Sequence, residues 1–217
     1  LLTQAIRAAA AAQGAGYRAF EPHQRAALFA GVDPRAALSG KRLKSLDSAR
    51  RRLAAQGALA FAFEHGAAAS DAFDRYLALE ASGWKGRRGT ALAQPVLLAL
   101  ARVFVRRLAR QGRAFVAALT LDGAPVAAGV VATSGDLAVY WKTAYDERYA
   151  SCSPGVLLTL DLTAALLATP SIRITDSCAV PGHAMIESLW SDRIDVADIL
   201  IGGAGNGFSH ALATHYE

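Results

Sequence analysis

Apolar positions recur along this chain with two different periods, and the period changes near residue 113. Residues 3–12 and 23–30 carry apolar side chains at helical spacing on either side of a glycine-rich turn at Gly14–Gly16, and both are expected to be short helices. Gly31–Pro34 reads as a turn, and the basic run from Gly40 as exposed. Ser45 is the candidate cap of a helix running to Gln56, with Gly57 as its stop. Residues 58–64 alternate large and small, which suits a strand ended by His65-Gly66. Ser70 or Asp71 caps the next helix, to about Ser82, with Phe73, Tyr76, Leu77 and Glu80 at helical spacing. Gly83–Thr90 is a basic loop punctuated by glycines. A long amphipathic helix follows over about 93–111. Val96, Leu100, Val103 and Phe104 mark its apolar face, Arg102, Arg106, Arg107 and Arg110 its basic face, and Gly112 its end.

Beyond that point the period becomes that of strands. Ala114–Leu121, Pro125–Thr133 and Leu137–Thr143 are separated by Asp122-Gly123 and by Ser134-Gly135-Asp136. Turns this tight join only antiparallel neighbours, so a three-stranded meander is expected. Pro154 to about Ala168 reads as a helix with Ser153 as cap and proline at its first position, where a missing N–H costs nothing. Ile172–Thr175 is then a short strand reached by a helical crossover, hence parallel to the strand before the helix. His183–Trp190 reads as a helix and Val196–Ile201 as a last strand. The fold class is α/β (α+β): a mixed central sheet, antiparallel meander first and a parallel strand–helix–strand unit after, with helices on both faces.

Composition narrows the function classes. Hydrophobic residues make up 53% of 217, enough for a sizeable core, although much of that fraction is alanine. No apolar run reaches the roughly 18–20 residues that span a bilayer, and no signal-peptide pattern is present. Two cysteines, Cys152 and Cys178, are too few for a disulfide framework and read as reduced thiols in a cytoplasmic protein. The net charge of +5 hides an asymmetry. Residues 1–113 hold nineteen Lys and Arg against seven Asp and Glu, and residues 114–217 hold four against eleven. A basic half attracts an anionic ligand such as a nucleotide, a nucleic acid or a lipid headgroup; solvated helix faces are the plainer reading.

The crossover helix brings the first candidate chemistry. The leading N–H groups of a helix are unpaired and its dipole is positive there, so its start attracts phosphate. Here it opens Ser153, Pro154, Gly155, Val156, Leu157, without an acidic side chain and with a glycine that admits a ligand to the backbone.

Three stretches carry a resemblance: LEASGWKGRRGT at Leu79–Thr90, YWKTAYDERYASCSPGVLL at Tyr140–Leu158, and TDSCAVPGH at Thr175–His183 with Trp190 after it. Element order and these stretches resemble the GNAT acyltransferases, and within them the CelD-like branch associated with bacterial cellulose and exopolysaccharide genes, related to FemAB-type transferases. The resemblance covers about residues 45–202. It makes 45–217 the acyltransferase domain and residues 1–44 the tail of an N-terminal half. It implies acyl-CoA, acetyl-CoA or longer, as co-substrate and no metal. Pantetheine would run along Trp141, Lys142 and Thr143, and the pyrophosphate would sit on Ser153–Leu157. One departure stands out: the common GNAT signature of Arg or Gln with paired glycines is replaced by Tyr149, Ser153 and a single Gly155.

Direct attack of an acceptor amine on the thioester then needs a base and an acid for the leaving thiolate. Asp176 and His183 are the candidate bases, and Tyr145 or Tyr149 the candidate acid. Each has a plainer reading: Asp176 caps its loop, His183 opens a helix, and the tyrosines and Asp146 order theirs. Trp84 and Lys85 line an acceptor pocket or are a core tryptophan beside a solvated lysine; Trp141 and Trp190 are also core candidates. The implied acceptor is a small amine or sugar, and nucleic acid is not an expected partner. A non-catalytic scaffold in a polysaccharide-synthesis assembly and a FemAB-like aminoacyl transferase are the alternatives.

Other motifs carry less. Gly202–Gly207 has the wrong spacing for a dinucleotide loop. His210 and His215 share no helix face and have no neighbouring ligand. No nucleophile-elbow motif supports Ser-His-Asp chemistry. The basic run Lys41–Arg52 lacks the interleaved aromatics of a single-strand binder.

Overall fold

A computed structural model describes residues 2–204. Gly205–Gly207, His210 and His215, on which two of the motifs above fall, lie outside the described residues. The chain forms two compact units. Residues 25–194 are the larger, and residues 2–24 with 195–204 the smaller. Helix α1 (Leu2–Ala12) lies in the smaller unit and precedes strand β1 (Ala15–Phe29), whose residues from Arg25 on belong to the larger; Arg7 stacks over the Tyr17 ring at 5.2 Å. Residues 23–30 are therefore strand rather than helix. Alanine and leucine favour helix intrinsically, but Ala27, Leu28 and Phe29 pair antiparallel with Asp176, Thr175 and Ile174, and that pairing overrides propensity.

In the larger unit helix α2 (Gly40–Ala54) is capped by Ser39, whose hydroxyl accepts from the Arg42 N–H, well over a turn earlier than the Ser45 cap read from sequence. Strand β2 (Leu59–His65), helix α3 (Ala67–Ser82), a single helical turn α4 (Trp84–Arg87) and helix α5 (Pro95–Arg110) follow. The meander is β3 (Ala114–Leu121), β4 (Ala124–Ser134) and β5 (Leu137–Tyr145). Helix α6 (Pro154–Leu167) crosses to β6 (Ile174–Asp176), and the turn α7 (Ala184–Glu187) precedes β7 (Asp192–Ala204). The strand order is β2-β3-β4-β5-β6-β1-β7, with β5 and β6 parallel and the other registered pairs antiparallel. The expected mixed sheet, meander and parallel crossover are all present.

The core forms on both sheet faces. On one, α3 and α5 cover the meander with Phe73, Tyr76, Leu79, Val105 and Val116. On the other, α6 lays Leu157, Leu158, Leu162 and Leu166 against Leu119, Val131 and Tyr140. α5 corrects the sequence reading in one respect. Its core contacts are Ala101, Val105 and Ala109, whereas Val96, Leu100, Val103 and Phe104 remain exposed. Spacing identifies the apolar stripe but not which part of it meets the sheet.

Register matters most in β5. Val131 pairs with Tyr140 but Val130 pairs with Lys142, so Trp141 is the extra residue of a β-bulge. A one-residue insertion exchanges the faces of everything after it. Tyr140 turns toward α6 and its ring covers Gly129, where a Cβ would stand only 2.6 Å from the ring. Gly129→Ala is expected to cost about 1–3 kcal/mol in urea unfolding through this overlap. In a Tyr140→Leu background the cost should shrink by more than about 0.5 kcal/mol; additive costs would show that the ring is not what position 129 accommodates.

Candidate active site

β5 and β6 pair only over Leu137–Val139 and Ile174–Asp176. Beyond Val139 and Asp176 the two parallel strands part, and a cleft opens between them. One part, about 250 Å³, is lined among others by Lys85, Trp141, Lys142, Thr143, Cys178 and His183. The adjoining part, about 170 Å³, is lined by Trp84, Lys85, Thr143, Tyr145, Gly155 and His183 among others. Eight of the residues singled out from the sequence are thus brought together: Trp84, Lys85, Trp141, Lys142, Thr143, Tyr145, Gly155 and His183, Gly155 lying in the helix start that also holds Ser153, Pro154, Val156 and Leu157.

The start of α6 is built differently from the expectation. Ser153 has left-handed backbone, φ 51° and ψ 50°, and its hydroxyl makes no cap. Its carbonyl instead accepts the N–H groups of Val156 (3.0 Å) and Leu157 (3.1 Å), and its own N–H goes to Ala150. Pro154 has no N–H, which leaves Gly155 as the donor on the cleft side. A Cβ at 155 would meet Tyr145 at 3.5 Å, ordinary contact, so glycine here exposes the backbone rather than avoiding a clash. With one N–H, the helix dipole and two lysines on the cleft wall, this site suits an anionic group, with fewer donors than four free N–H groups would give.

Two predicted residues stand apart from the cleft lining. Asp176 Oδ1 accepts from the Cys178 N–H at 2.8 Å, and Oδ2 faces the Arg25 guanidinium at 3.6 Å. Tyr149 is half-buried, packs against the α6-side core and lies under Arg148 at 5.8 Å. Trp190 is fully buried and donates to Thr163 Oγ1 at 2.9 Å, a core role. His183 is exposed at the start of α7, which is one turn rather than the expected helix to Trp190.

The residue that sequence reasoning left without a role is Glu80. It is 1% exposed, yet every partner a buried carboxylate needs is present. Oε1 accepts from Tyr76 Oη (2.8 Å) and Lys85 Nζ (3.4 Å), and Oε2 from the Leu92 N–H (2.9 Å). Lys85 Nζ also donates to the Thr143 carbonyl at 2.7 Å, which ties α3 to β5 at the cleft. The signal was available: Tyr76 and Glu80 are four apart on a face that also holds Phe73, so an acid on the buried stripe needed an explanation. A second carboxylate, Glu147, fastens the α4 turn, accepting from the Trp84 N–H (2.9 Å) and Arg87 (2.6 Å). Burial pushes the Lys85 ammonium below the usual lysine range, with Glu80 opposing. Burial, and next the Asp176 carboxylate, push the Cys178 thiol up, so at neutral pH it is a thiol and not the reactive thiolate.

The family model described as Acetyltransferase (GNAT) domain matches residues 40–178, more than half of the chain. No curated protein matches. Among solved structures the chain is similar to a conserved protein of unknown function from Bacteroides thetaiotaomicron (TM-score 0.57, 10% identity, 92% of this chain and 66% of that one). It is also similar to L-PGS from Bacillus licheniformis (0.56, 13%, 92% and 65%) and to FemX (0.55, 8%, 92% and 66%). At these identities the likeness is one of fold, and the chain spans about two thirds of each. Among the described residues no helix is long and apolar enough to cross a membrane, and no cluster of His, Cys, Asp and Glu could hold a metal ion.

Glu80→Leu is expected to destabilise the fold by about 3–5 kcal/mol, because Lys85 is left half-buried without its carboxylate; Tyr76→Phe should cost about 1 kcal/mol. Urea unfolding checks both, and an unchanged midpoint for Glu80→Leu would show the network to be idle. The lowered pKa has its own signature. Between the folded pKa of Lys85 and its ordinary value of 10.5, the unfolded chain binds more protons, so stability rises with pH across that window. Lys85→Met should remove that share of the rise.

Proposed function

The chain belongs to the GNAT acetyltransferase family, and on that premise we propose that it is an acyl-CoA-dependent N-acyltransferase acting through the cleft between β5 and β6. The observation that carries this reading is the parting of the two strands beside the start of α6. It brings a phosphate-compatible helix start, a strand with free edge groups and an exposed histidine into one cleft. The donor's pyrophosphate lies at the Gly155 N–H and its pantetheine along Trp141–Thr143.

The acceptor amine enters beside Trp84 and Lys85. His183, exposed and on both parts of the cleft, takes the amine proton as the nitrogen attacks the thioester carbonyl. The tetrahedral oxyanion is met by a β5 N–H beyond the end of strand pairing. When the C–S bond breaks, the thiolate takes a proton from Tyr145, whose ring lies in the cleft. Asp176 is engaged by Cys178 N–H and Arg25, which favours His183 over it as base, and the half-buried Tyr149 yields likewise to Tyr145. A Cys178 held as thiol supports direct transfer over an acyl-cysteine intermediate. The three stretches that resemble the CelD-like branch point to an amino sugar or another polysaccharide-related amine as acceptor.

Calorimetry with acetyl-CoA and longer acyl-CoAs is the test. The wild type should bind and Gly155→Glu, which places a carboxylate where the pyrophosphate sits, should not. Folded wild-type protein that binds none of them would sink the reading. With a turnover assay in hand, His183→Gln should lower kcat by about 10²–10⁴-fold while Cys178→Ser stays within about twofold; a large loss in the serine variant would instead mean a covalent intermediate.

A further inference from the structure

From Ala81 to Leu121 the chain carries eight Lys and Arg and no Asp or Glu. The middle of that stretch is α5, whose outer side is exposed among the described residues. Val96, Leu100 and Val103 stand 62–71% exposed, and Leu97 and Phe104 both 46%. Val96, Leu100, Val103 and Arg107 follow one another at intervals of four, three and four, so they form a single crest along the helix. Ala101, Val105 and Ala109 hold the opposite side in the core. The crest is apolar for its first two turns and basic at its end, where Arg107 and Arg110 are exposed. On the flank, Arg102 and Arg106 reach Asp74 at 2.8 and 3.5 Å, so one carboxylate serves two guanidinium groups.

We propose that this face of α5 docks the protein onto an anionic phospholipid surface. An interfacial helix needs large apolar side chains on one side to enter the headgroup–acyl boundary and cations beside them at the depth of the phosphates. The two are adjacent here, on a helix already anchored to a folded domain, and no acid in the stretch repels the lipid. Charge selects this occupant over others. A second copy of the same face would set Arg107 and Arg110 against their own kind. A nucleic acid would use the cations but gain nothing from five exposed apolar side chains. Patches of this kind mark interaction surfaces.

The docked face adjoins the cleft. Phe104 meets the Trp141 ring edge-on at 5.6 Å, and the two help line a groove of about 540 Å³ under α5. Trp141 also lines the cleft, so a lipid surface on α5 lies beside it.

Flotation of the whole chain with vesicles tests this without any acyl-CoA. The protein should float with phosphatidylcholine vesicles containing phosphatidylglycerol and remain behind with phosphatidylcholine alone. Added salt should release it. Leu100→Ser or Val103→Ser should weaken partitioning about tenfold, and Arg107→Gln or Arg110→Gln about fivefold each. All four positions are exposed, and circular dichroism checks that each variant folds. Wild-type protein that ignores anionic vesicles would overturn the proposal, as would variants that partition like wild type. Sedimentation equilibrium supplies the third arm: a dimer that Leu100→Ser dissolves would assign the face to a second copy instead. Capture of an acidic protein segment without lipid binding would equally overturn it.

Discussion

A carboxylate with 1% exposure is the constraint around which the cleft is arranged. Removing Glu80 from water is tolerated only because its oxygens meet a phenol, an ammonium and a backbone N–H. Each partner comes from a different place. Tyr76 is one turn back on α3, Lys85 is in the α4 turn, and Leu92 precedes α5. Satisfying the charge therefore ties α3, the α4 turn and the segment before α5 to one another. Lys85 extends the chain of bonds to the Thr143 carbonyl, on the very strand that parts from β6. Glu147 repeats the device from the other direction, holding the Trp84 N–H and Arg87 from the turn that follows β5. The basic loop is thus fastened through Lys85 to the strand whose edge forms the cleft, and through Trp84 and Arg87 to the turn that follows that strand.

The opening itself follows from register. Trp141 adds one residue to β5, and every later side chain changes face. Tyr145 is thereby set beside Gly155, and Ala144 faces α3. Pairing with β6 lasts only three residues, after which the parallel partner is lost and strand edge is exposed. α6 is buried nearly all round, with Thr159 and Thr163 satisfied by the carbonyls one turn earlier and by Trp190. A helix so committed to the core cannot shift to meet a ligand. The polar groups at its start are held in place by the rest of the domain, the arrangement that a preorganised anion site requires.

Much of this fold was legible because tight turns leave few choices. Asp122-Gly123 and Ser134-Gly135-Asp136 allow only antiparallel neighbours, and a helix between strands forces a parallel return. Residues 23–30 failed for the converse reason. Their composition favours helix, and only β6, some 150 residues away, makes them a strand. Lys85, Tyr145, Gly155 and His183 were singled out through the stretches that carry the resemblance and the helix start, and the fold lines one cleft with them. Glu80 was given no role because its place on the apolar stripe raises the question of its partners but does not identify Lys85 and Leu92 as two of them. The left-handed Ser153 was hidden too: serine before proline has the composition of a cap, and the backbone that defeats it is set by the turn before.

The same long-range logic revises the charge asymmetry of the chain. A basic first half and an acidic second half suggest a large anionic partner when counted along the sequence. In the folded domain several of those charges answer each other across the halves. Arg50 pairs with Asp161 at 2.6 Å, Arg87 with Glu147 at 2.6 Å, and Arg25 faces Asp176 at 3.6 Å. Partly exposed pairs like these contribute about 0–1 kcal/mol each, so their main consequence is for the surface field rather than for stability. They engage Arg50 on α2, Arg87 in the α4 turn and Arg25 beside Asp176, while on α5 Asp74 takes up Arg102 and Arg106 and leaves Arg107 and Arg110 outside these ion pairs. A count of charges made before folding cannot separate cations that close the domain from cations left to meet something else. Only the ion pairs make that division, and on α5 the cations of the second kind, Arg107 and Arg110, lie beside the exposed apolar crest.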